Sequence, residues 1–293
     1  MKVTAHSEVG KLKSVFLKKA TDAFLNDAHL EKEWKNLNYL SKPNFNVALN
    51  EYHCFEEVFM SRGIQVLYLP QDEMVNMDSI YCRDAAIATN GGMIICNMGK
   101  AARANEPAAE KTAFEKTGIR IFGEITAPGT IEGGDVAWLD ENTLAVGHTY
   151  RTNKAGIQQL KALLHPLRVD VITVDLPHYK GPSDVFHLMS ILSPVADNIA
   201  VVYSPLMPIP FRNLLLEKNY TLVEVPDEEF ESMGCNVLAL APGECLMVDG
   251  NPKTRAALEK AGCRVTVYKG NEISVKGGGG PTCLTRPVSR LVS

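Results

Sequence analysis

A unit of about 50 residues recurs along this chain, and no other sequence feature restricts its fold as strongly. The unit reads as a β-hairpin, a loop, an amphipathic helix and a closing strand, because short apolar strands precede an apolar pattern of helical period. In the clearest copy, from Asp135, the hairpin strands are DVAWL and TLAVG, the helix is KAGIQQLKALL and the closing strand is VDVITVDL. Other copies begin at Asp84, His187 and Cys235, and second hairpin strands start near Met93, Thr143, Asn198 and Glu244, at intervals of 50, 55 and 46 residues.

A fifth copy is split between the two ends of the chain. Cys283-Leu284-Thr285 is predicted to pair with LKSVFLKK near the N-terminus, and the helix NEYHCFEEVFMSRG and the strand IQVLYLP complete the copy. Repeats of this length stack as an open array or close on themselves. Because the last copy borrows a strand from the first, we infer closure into a propeller-like α/β ring, a single domain over residues 1–293.

The copies bring chemically reactive side chains to equivalent positions. In a closed ring the starts of the hairpins converge on one axis, so carboxylates, an imidazole, an amide and a thiol would share a central site. The alternative is ordinary strand ends, but turns favour Gly, Asn, Asp and Pro, which explains neither a His nor a Cys. The converging residues are Asp84, Glu132, Asp135, His187, Asn236 and Cys283.

Composition excludes several classes of function. The formal net charge is −4 and no basic stripe exists, which argues against a nucleic-acid partner. No apolar run approaches the roughly 18 residues that span a bilayer, so we predict no membrane partner. The seven cysteines are scattered without a C-x-x-C pair, and MKVTAHSEVG lacks the apolar core of a signal peptide. We therefore expect a cytoplasmic protein without a disulfide framework or a metal site.

One segment departs from the repeat. Residues 21–46 separate the first strand from the first helix of the split copy, and no other copy has so long an insertion there. Long loops in compact domains often serve as lids. The alternative, which does not exclude a lid, is a surface helix over NDAHLEKEWKNL packed on the outside of the ring.

Cys283 is the predicted nucleophile. It follows KGGGGPT, and consecutive glycines suit a backbone that approaches a ligand closely. A thiol attacks as thiolate and needs a base or a lowered pKa, and His187, at the equivalent start of another copy, can act as general acid or base. The alternative is an inert Cys after a flexible tail and a structural His.

Asp84 and Glu132 would supply negative charge beside this pair. Each leads into an apolar strand, where an acid needs a cation or hydrogen-bond donors. Asp84 could instead pair with Arg83, and Asp135 could simply bind backbone amides. Two carboxylates around a Cys and a His suit a planar cation, because a guanidinium pairs with carboxylates in a fork-like geometry.

Taken in order, these motifs resemble those of the guanidino-group-modifying superfamily, which contains arginine deiminases, dimethylarginine dimethylaminohydrolases and amidinotransferases. The resemblance runs from about Glu8 to Arg286. It implies a five-fold pseudosymmetric α/β-propeller (pentein), Cys283 as nucleophile, His187 as general acid and base, and Asp84 and Glu132 as guanidinium ligands. The motifs are Cys82-Arg83-Asp84, Ile131-Glu132-Gly133-Gly134-Asp135, Arg151-Thr152-Asn153, Phe186-His187-Leu188 and Gly277–Cys283.

The resemblance also implies residues that bind an α-amino acid. Asp78, six residues before Asp84, matches the acid that holds the substrate's α-ammonium group in dimethylarginine hydrolases. Arg103 and Arg151, in the loops after the second and third hairpins, look like the arginines that hold the α-carboxylate. Asp135 is included among the predicted substrate-binding residues. The implied partner is a small-molecule guanidino amino acid.

The subfamily motifs are mixed. His187-Leu188-Met189-Ser190 lacks the acid of the deiminase His-x-Asp motif and resembles the His-Leu-x-Ser of dimethylarginine hydrolases, whereas Cys82-Arg83-Asp84 and the glycine run look more deiminase- or transferase-like. The resemblance implies a cofactor-free hydrolase of a C–N bond in arginine or N-methylated arginine, acting through a Cys thiouronium intermediate. Arginine deiminase, citrulline hydrolase and amidinotransferase remain alternatives, and a ribosome-binding propeller protein is the non-enzyme alternative. Homo-oligomer formation stays open.

Overall fold

Five small β-sheets form the framework of the protein, whose computed structural model describes residues 1–292. Four sheets have three strands each, and the fifth has four. The strands are β1 (Lys2–Thr4), β2 (Lys11–Leu17), β3 (Gln65–Tyr68), β4 (Ala86–Thr89), β5 (Gly92–Ile95), β6 (Ile121–Glu124), β7 (Val136–Asp140), β8 (Thr143–His148), β9 (Asp170–Asp175), β10 (Leu192–Ala196), β11 (Ile199–Val202), β12 (Thr221–Glu224), β13 (Leu238–Ala241), β14 (Glu244–Val248), β15 (Arg264–Tyr268) and β16 (Arg286–Val292). The helices are α1 (Ala20–Phe24), α2 (Asp27–Glu33), α3 (Phe45–Met60), α4 (Glu106–Lys116), α5 (Lys154–Leu164), α6 (Ile209–Glu217), α7 (Asp227–Phe230) and α8 (Pro252–Lys260).

Each three-stranded sheet has the predicted hairpin, helix and closing strand. In the copy from Asp135, β7 pairs antiparallel with β8, and β9 then pairs parallel with β8. Parallel pairing needs a crossover, which α5 provides. The Asn153 side chain caps α5 by accepting a hydrogen bond from the Gly156 N–H at 2.8 Å, and Ile157, Leu160 and Leu164 form the buried face of the helix.

The first hairpin strands lie at the inside of the ring. All four residues of β4 and the first four of β7 are buried. Around the ring, β7 contacts β10, β10 contacts β13, β13 contacts β2 and β16 contacts β4, while a bridge between Asn97 and Ile131 joins the remaining neighbours. The positions just before these strands are therefore brought towards a common centre.

The split copy closes the ring. Strand β16 lies between β1 and β2, with Arg286 opposite Phe16 and Lys2 opposite Val292, and β3 completes the sheet. The predicted closure and the α/β-propeller fold are confirmed. The pairing strand begins at Arg286, so Cys283 lies in the turn ahead of the strand, where its side chain is not committed to a sheet.

The insertion at residues 21–46 packs against the ring through short helices. The predicted surface helix corresponds to α2, which begins after the capping Asn26 and buries Leu30. Phe24 of α1 is also fully buried in the same apolar cluster. Leu37 and Tyr39 are buried in that cluster as well, so both halves of the insertion are anchored to the core.

Two further expectations concern the described residues. None of their helices has the length and apolarity needed to cross a membrane. All seven cysteines are free, with Cys54 exposed, Cys283 half-buried and the other five buried. The five buried thiols belong to the apolar clusters of the core.

Candidate active site

Side chains from different hairpin starts meet around one cavity. Cys283, His187 and Asn236 line the cavity and come from three copies of the repeat. Asp84 and Glu132 are buried beside His187, and ligand atoms of these three residues lie within 4.8 Å of one another. The structure thus brings the four predicted catalytic residues into one neighbourhood.

His187 is held against Glu132. It precedes a single 3-10 turn, and its backbone N–H donates to the Ser190 hydroxyl at 3.1 Å. The imidazole Nε2 lies 2.8 Å from Oε2 of Glu132. Burial alone would lower the pKa of His187, but the carboxylates of Asp135, Asp84 and Glu132 outweigh burial and raise that pKa. The imidazolium form is therefore favoured near neutral pH and can donate a proton.

Glu132 is kept ionised by donors on both oxygens. Its Oε1 accepts the Lys100 backbone N–H at 2.8 Å, and its Oε2 also lies 3.3 Å from Nη1 of Arg151. Burial opposes the charge, but His187 and Arg151 lower the pKa of Glu132. A fully buried carboxylate is thereby available next to the imidazole.

Asp84 depends on a glycine for its position. Its Oδ1 accepts the Gly134 N–H at 2.9 Å, and its Oδ2 accepts a hydrogen bond from Arg103. A Cβ on residue 134 would lie 2.5 Å from Nδ1 of His187 and 2.8 Å from Oδ1 of Asp84. The second glycine of the Glu132-Gly133-Gly134-Asp135 motif is therefore required for the acid and the imidazole to approach each other.

Cys283 has a fixed hydrogen-bond donor. Nδ2 of Asn236 donates to Sγ at 3.3 Å, while Oδ1 of Asn236 accepts from the Thr282 N–H at 3.0 Å and from the Thr282 hydroxyl at 2.8 Å. Those two donors set the orientation of the amide. Burial and the charge of Asp84 raise the pKa of Cys283, and the contacts from Asn236 and Thr282 oppose the increase. Without additional positive charge nearby, the neutral thiol of Cys283 is favoured over the thiolate.

The two predicted carboxylate ligands have different surroundings. Arg151 lines the cavity, where its Nη2 lies 3.4 Å from the Asp184 carbonyl oxygen in addition to the Glu132 contact. Arg103 also lines the cavity, but Asp84, Glu106 and the Tyr81 carbonyl oxygen accept hydrogen bonds of 2.5 to 2.8 Å from its guanidinium. Arg103 therefore orders Asp84 in this structure, and its donors are engaged internally.

The remaining predicted substrate ligands also have internal partners. Asp78 lines the cavity, and its Oδ2 lies 2.6 Å from Nζ of Lys100. Asp135 is fully buried and is not among the residues that form the cavity wall. Its oxygens accept the Leu188 N–H at 3.0 Å and the Thr149 hydroxyl at 2.7 Å. Asp135 therefore positions the turn that carries His187, which agrees with its alternative interpretation as a ligand of backbone amides.

The insertion reaches the mouth of the cavity. Leu37, Asn38 and Leu40 belong to the lining. The Leu40 N–H donates to the Lys276 carbonyl at 2.8 Å, and the Asn38 side chain donates to the Ser183 carbonyl at 3.2 Å. The segment thus touches both sides of the opening, as a lid must, and its lid function stays a prediction.

Two residues of the site have no role assigned from the sequence. Asn236 is among the residues predicted to converge on the central site, but only the structure shows that its amide contacts Cys283. Lys100 contacts Glu132 through its backbone and Asp78 through its side chain. Its only sequence signal is that it lies in the same loop as Arg103, three residues earlier.

Asp84, Glu132 and His187 also form the kind of group that can hold a metal ion. Each of the three also has a protein partner: Arg103 donates to Asp84, and His187 pairs with Glu132. The three side chains therefore form part of a buried hydrogen-bond network that includes Arg103 and Arg151.

Known proteins are similar to this chain in sequence and in fold. A family model described as N,N dimethylarginine dimethylhydrolase, eukaryotic, matches residues 17–290. An N(G),N(G)-dimethylarginine dimethylaminohydrolase of Streptomyces coelicolor is 29% identical over 237 residues, which are 80% of each chain. A mutant dimethylarginine dimethylaminohydrolase of Pseudomonas aeruginosa complexed with citrulline has a TM-score of 0.76 at 23% identity, over 94% of this chain and 99% of that one.

A further solved structure, an amidinotransferase from Microseira wollei in the saxitoxin biosynthetic pathway, has a TM-score of 0.82 at 15% identity over 99% of this chain and 98% of that one. The two structural likenesses establish the fold, and the match to the family model extends over nearly the whole chain. The resemblance inferred from the ordered motifs is thereby confirmed. The chain belongs to the N,N dimethylarginine dimethylhydrolase family, within the guanidino-group-modifying superfamily, and is a hydrolase of C–N bonds in linear amidines.

Proposed function

We propose that this protein hydrolyses the guanidino group of arginine or an N-methylated arginine, releasing ammonia or a methylamine and a citrulline-type urea. The observation that carries the proposal is the single cavity lined by Cys283 and His187, with Glu132 and Asp84 buried against the imidazole. A nucleophile, a proton donor and two carboxylates are the groups that a planar cation requires. The name of the Streptomyces relative supports a methylated arginine.

The amino-acid end of the substrate would be held at the cavity wall. Arg151 is the proposed α-carboxylate ligand, because it lines the cavity and the internal contacts of its planar donor fork are long, at 3.3 to 3.5 Å. Asp78 is the proposed α-ammonium ligand, and the substrate amine would share it with Lys100. Arg103 would act indirectly by fixing Asp84 beside the guanidinium.

Substrate binding would itself activate the nucleophile. In the free site, burial and Asp84 raise the pKa of Cys283. A bound guanidinium brings positive charge next to the sulfur and so favours loss of the thiol proton to solvent, which leaves the thiolate. The thiolate then forms a C–S bond to the guanidinium carbon, with the Asn236 N–H donating to the sulfur before the attack.

Collapse of the resulting tetrahedral adduct would break the C–N bond. His187, kept cationic by its carboxylate neighbours, donates its proton to the departing nitrogen, and an S-alkylthiouronium remains on Cys283. The neutral imidazole next removes a proton from a water molecule, whose oxygen attacks the same carbon. Cleavage of the C–S bond returns the thiolate and releases the urea. No redox step or external electron acceptor is needed.

Cytoplasmic location and the absence of a cofactor belong to the same proposal. The free thiols of the described residues are consistent with a reducing compartment. Every step above uses only side chains of the chain and water.

The direct test is product analysis with arginine, N-methylated arginines and citrulline, each supplied separately. A citrulline-type urea with ammonia or an amine supports hydrolysis of a guanidine, and ornithine from citrulline would identify a citrulline hydrolase. Addition of an acceptor amine tests amidino transfer, because transfer yields a new guanidine in place of the urea. Cys283→Ser is the control, and turnover by this variant near that of the unaltered protein would contradict the covalent mechanism.

A further inference from the structure

Three arginines are buried together inside the ring, apart from the cavity. Arg83 precedes β4, while Arg286 and Arg290 belong to β16, and they are 1%, 6% and 1% exposed. Nη2 of Arg83 lies 2.9 Å from both oxygens of Glu8, so its partner is Glu8 and the predicted pairing with Asp84 is not formed. The side chains converge from different elements.

Backbone carbonyls of the inner strands hold the cluster in place. Nη1 of Arg290 donates to the carbonyl oxygens of Gly10 and Ala239, each at 2.7 Å. Nη1 of Arg286 donates to the Ala86 carbonyl at 2.8 Å. Ala86 and Ala239 lie on β4 and β13, the first hairpin strands of two copies, which places the arginine cluster at the centre of the ring.

The cluster carries an excess of positive charge. Glu8 faces all three guanidinium groups, and Glu110 is the other acid that acts on Arg286. Burial and the neighbouring Glu106 raise the pKa of Glu110 well above its ordinary value, so Glu110 is favoured as a neutral acid. One carboxylate therefore faces three guanidinium groups, an imbalance that a dry interior tolerates poorly.

Several hydrogen-bond donors of the cluster also have no acceptor among residues 1–292. Nε and Nη1 of Arg83 and Nε and Nη2 of Arg290 are buried and have no hydrogen-bond partner among residues 1–292. A buried donor without a partner is costly, and such groups in native proteins mark an additional ligand, ion or water. Water would satisfy the donors but would not offset the charge, whereas an anion does both.

We propose that the arginine cluster (Arg83, Arg286 and Arg290) binds a small inorganic anion, in the first instance chloride, inside the ring. The site is distinct from the substrate cavity, which contains none of the three arginines. It is nevertheless connected to the active site, because the Arg83 N–H donates to the Cys283 carbonyl oxygen at 3.2 Å and Arg83 is followed directly by Asp84. An anion there would stabilise the junction that carries both residues.

The full-length protein tests this by unfolding in sodium chloride and in sodium gluconate at equal ionic strength. Because an anion that binds only the folded state stabilises it by mass action, each tenfold rise in chloride above the dissociation constant should lower the unfolding equilibrium constant tenfold. Crystals grown with bromide should show an anomalous peak within contact distance of Arg83 and Arg290. Equal stability in the two salts, or bromide peaks at other places alone, would overturn the proposal.

Variants separate specific binding from a general salt effect. Glu8→Gln removes the competing carboxylate, so the chloride dissociation constant obtained from the dependence of stability on chloride should fall at least severalfold. Arg290→Met should remove the chloride dependence, and the exposed Arg120→Met is the matched control that should retain it. If Arg290→Met does not fold, the change in Glu8→Gln and the bromide position decide. An unchanged chloride dissociation constant in Glu8→Gln would contradict the site.

Discussion

The orientation of the Asn236 side-chain amide is fixed by its neighbours. Its oxygen is occupied by two donors of Thr282, so the nitrogen must face the sulfur of Cys283. The amide carries no charge, and it therefore favours the thiolate without repelling a cationic substrate. His187 acts differently. Its imidazolium is paired with the Glu132 carboxylate, so the pair adds no net positive charge to the site.

Replacing Asn236 with Ala should raise the pKa of Cys283 further, because the thiolate loses its donor. A hydrogen bond to a charged group contributes about 1.5–3 kcal/mol, and one pKa unit corresponds to about 1.36 kcal/mol. We therefore expect the pKa of Cys283, measured by titration of the thiolate absorbance, to rise by about one to two units. Cys283→Ser identifies the signal of this thiol. A titration of Asn236→Ala that matches the unaltered protein would mean that the contact has no energetic role.

Replacing Glu132 with Gln should lower the pKa of His187. Burial alone lowers that pKa, and Glu132 is one of the carboxylates that reverse the effect. The stabilisation from the protonated imidazole is fully present below the unfolded value of 6.5 and is lost as pH rises through the raised folded pKa. Side-chain nitrogen NMR measures the titration directly. Glu51→Gln, a change at a buried acid of α3, should leave it unaltered, and equal His187 titrations in both variants would exclude the ion pair as the cause.

Part of this site could be predicted from the sequence because of the repeat. Cys283, His187, Asp84 and Glu132 sit at repeat-equivalent positions, and repeat symmetry converts sequence position into spatial position. Arg103 shows the limit, since its loop location indicates nearness to the site but not direction. Its guanidinium turns back to Glu106, three residues later in the first turn of α4, and only the folded geometry shows this.

At the scale of elements, the insertion both packs in the core and contacts the cavity mouth. Phe24, Leu30, Leu37 and Tyr39 are buried in one apolar cluster, and residues 37–40 also meet the mouth through a backbone hydrogen bond and an exposed amide contact. Movement of this segment as a lid would therefore expose Leu37 and Tyr39 to water, which costs free energy.

We expect ligand binding to slow hydrogen exchange at residues 37–40. A ligand inside the cavity, such as citrulline, would add contacts to a segment whose Leu40 N–H already donates to Lys276. Exchange mass spectrometry with and without ligand measures the change, and the amides of α5, which lies outside the cavity lining, provide the control. Unchanged exchange at saturating ligand would contradict a lid.

The boundaries of elements were less accessible from the sequence than their order. The hairpin of the copy from His187 is predicted to start at that residue, but β10 begins only at Leu192. The preceding Leu188–Ser190 forms a 3-10 turn because Asp135, from another copy, accepts the Leu188 N–H. A contact between residues 53 positions apart cannot be predicted from the local alternation of apolar and polar residues.

At the scale of the whole molecule, one strand completes the ring. β16 pairs on one edge with β1 and on the other with β2, so it is central in its sheet although it is last in the sequence. It also carries Arg286 and Arg290 into the arginine cluster. Removing it would expose the edges of two strands and the first copy would lose its hairpin.

Truncation after Thr285 should therefore abolish cooperative unfolding and turnover together, although Cys283 and every other predicted catalytic residue would remain. A circular permutant distinguishes closure from mere chain length: with a short linker between residues 293 and 1, and new ends at the exposed turn Asp197-Asn198, every strand pair is retained. New ends at exposed turns are generally tolerated. We expect the permutant to unfold in one transition, measured by circular dichroism, and to retain turnover. A truncated chain that still unfolds cooperatively would show that the ring does not depend on its closing strand.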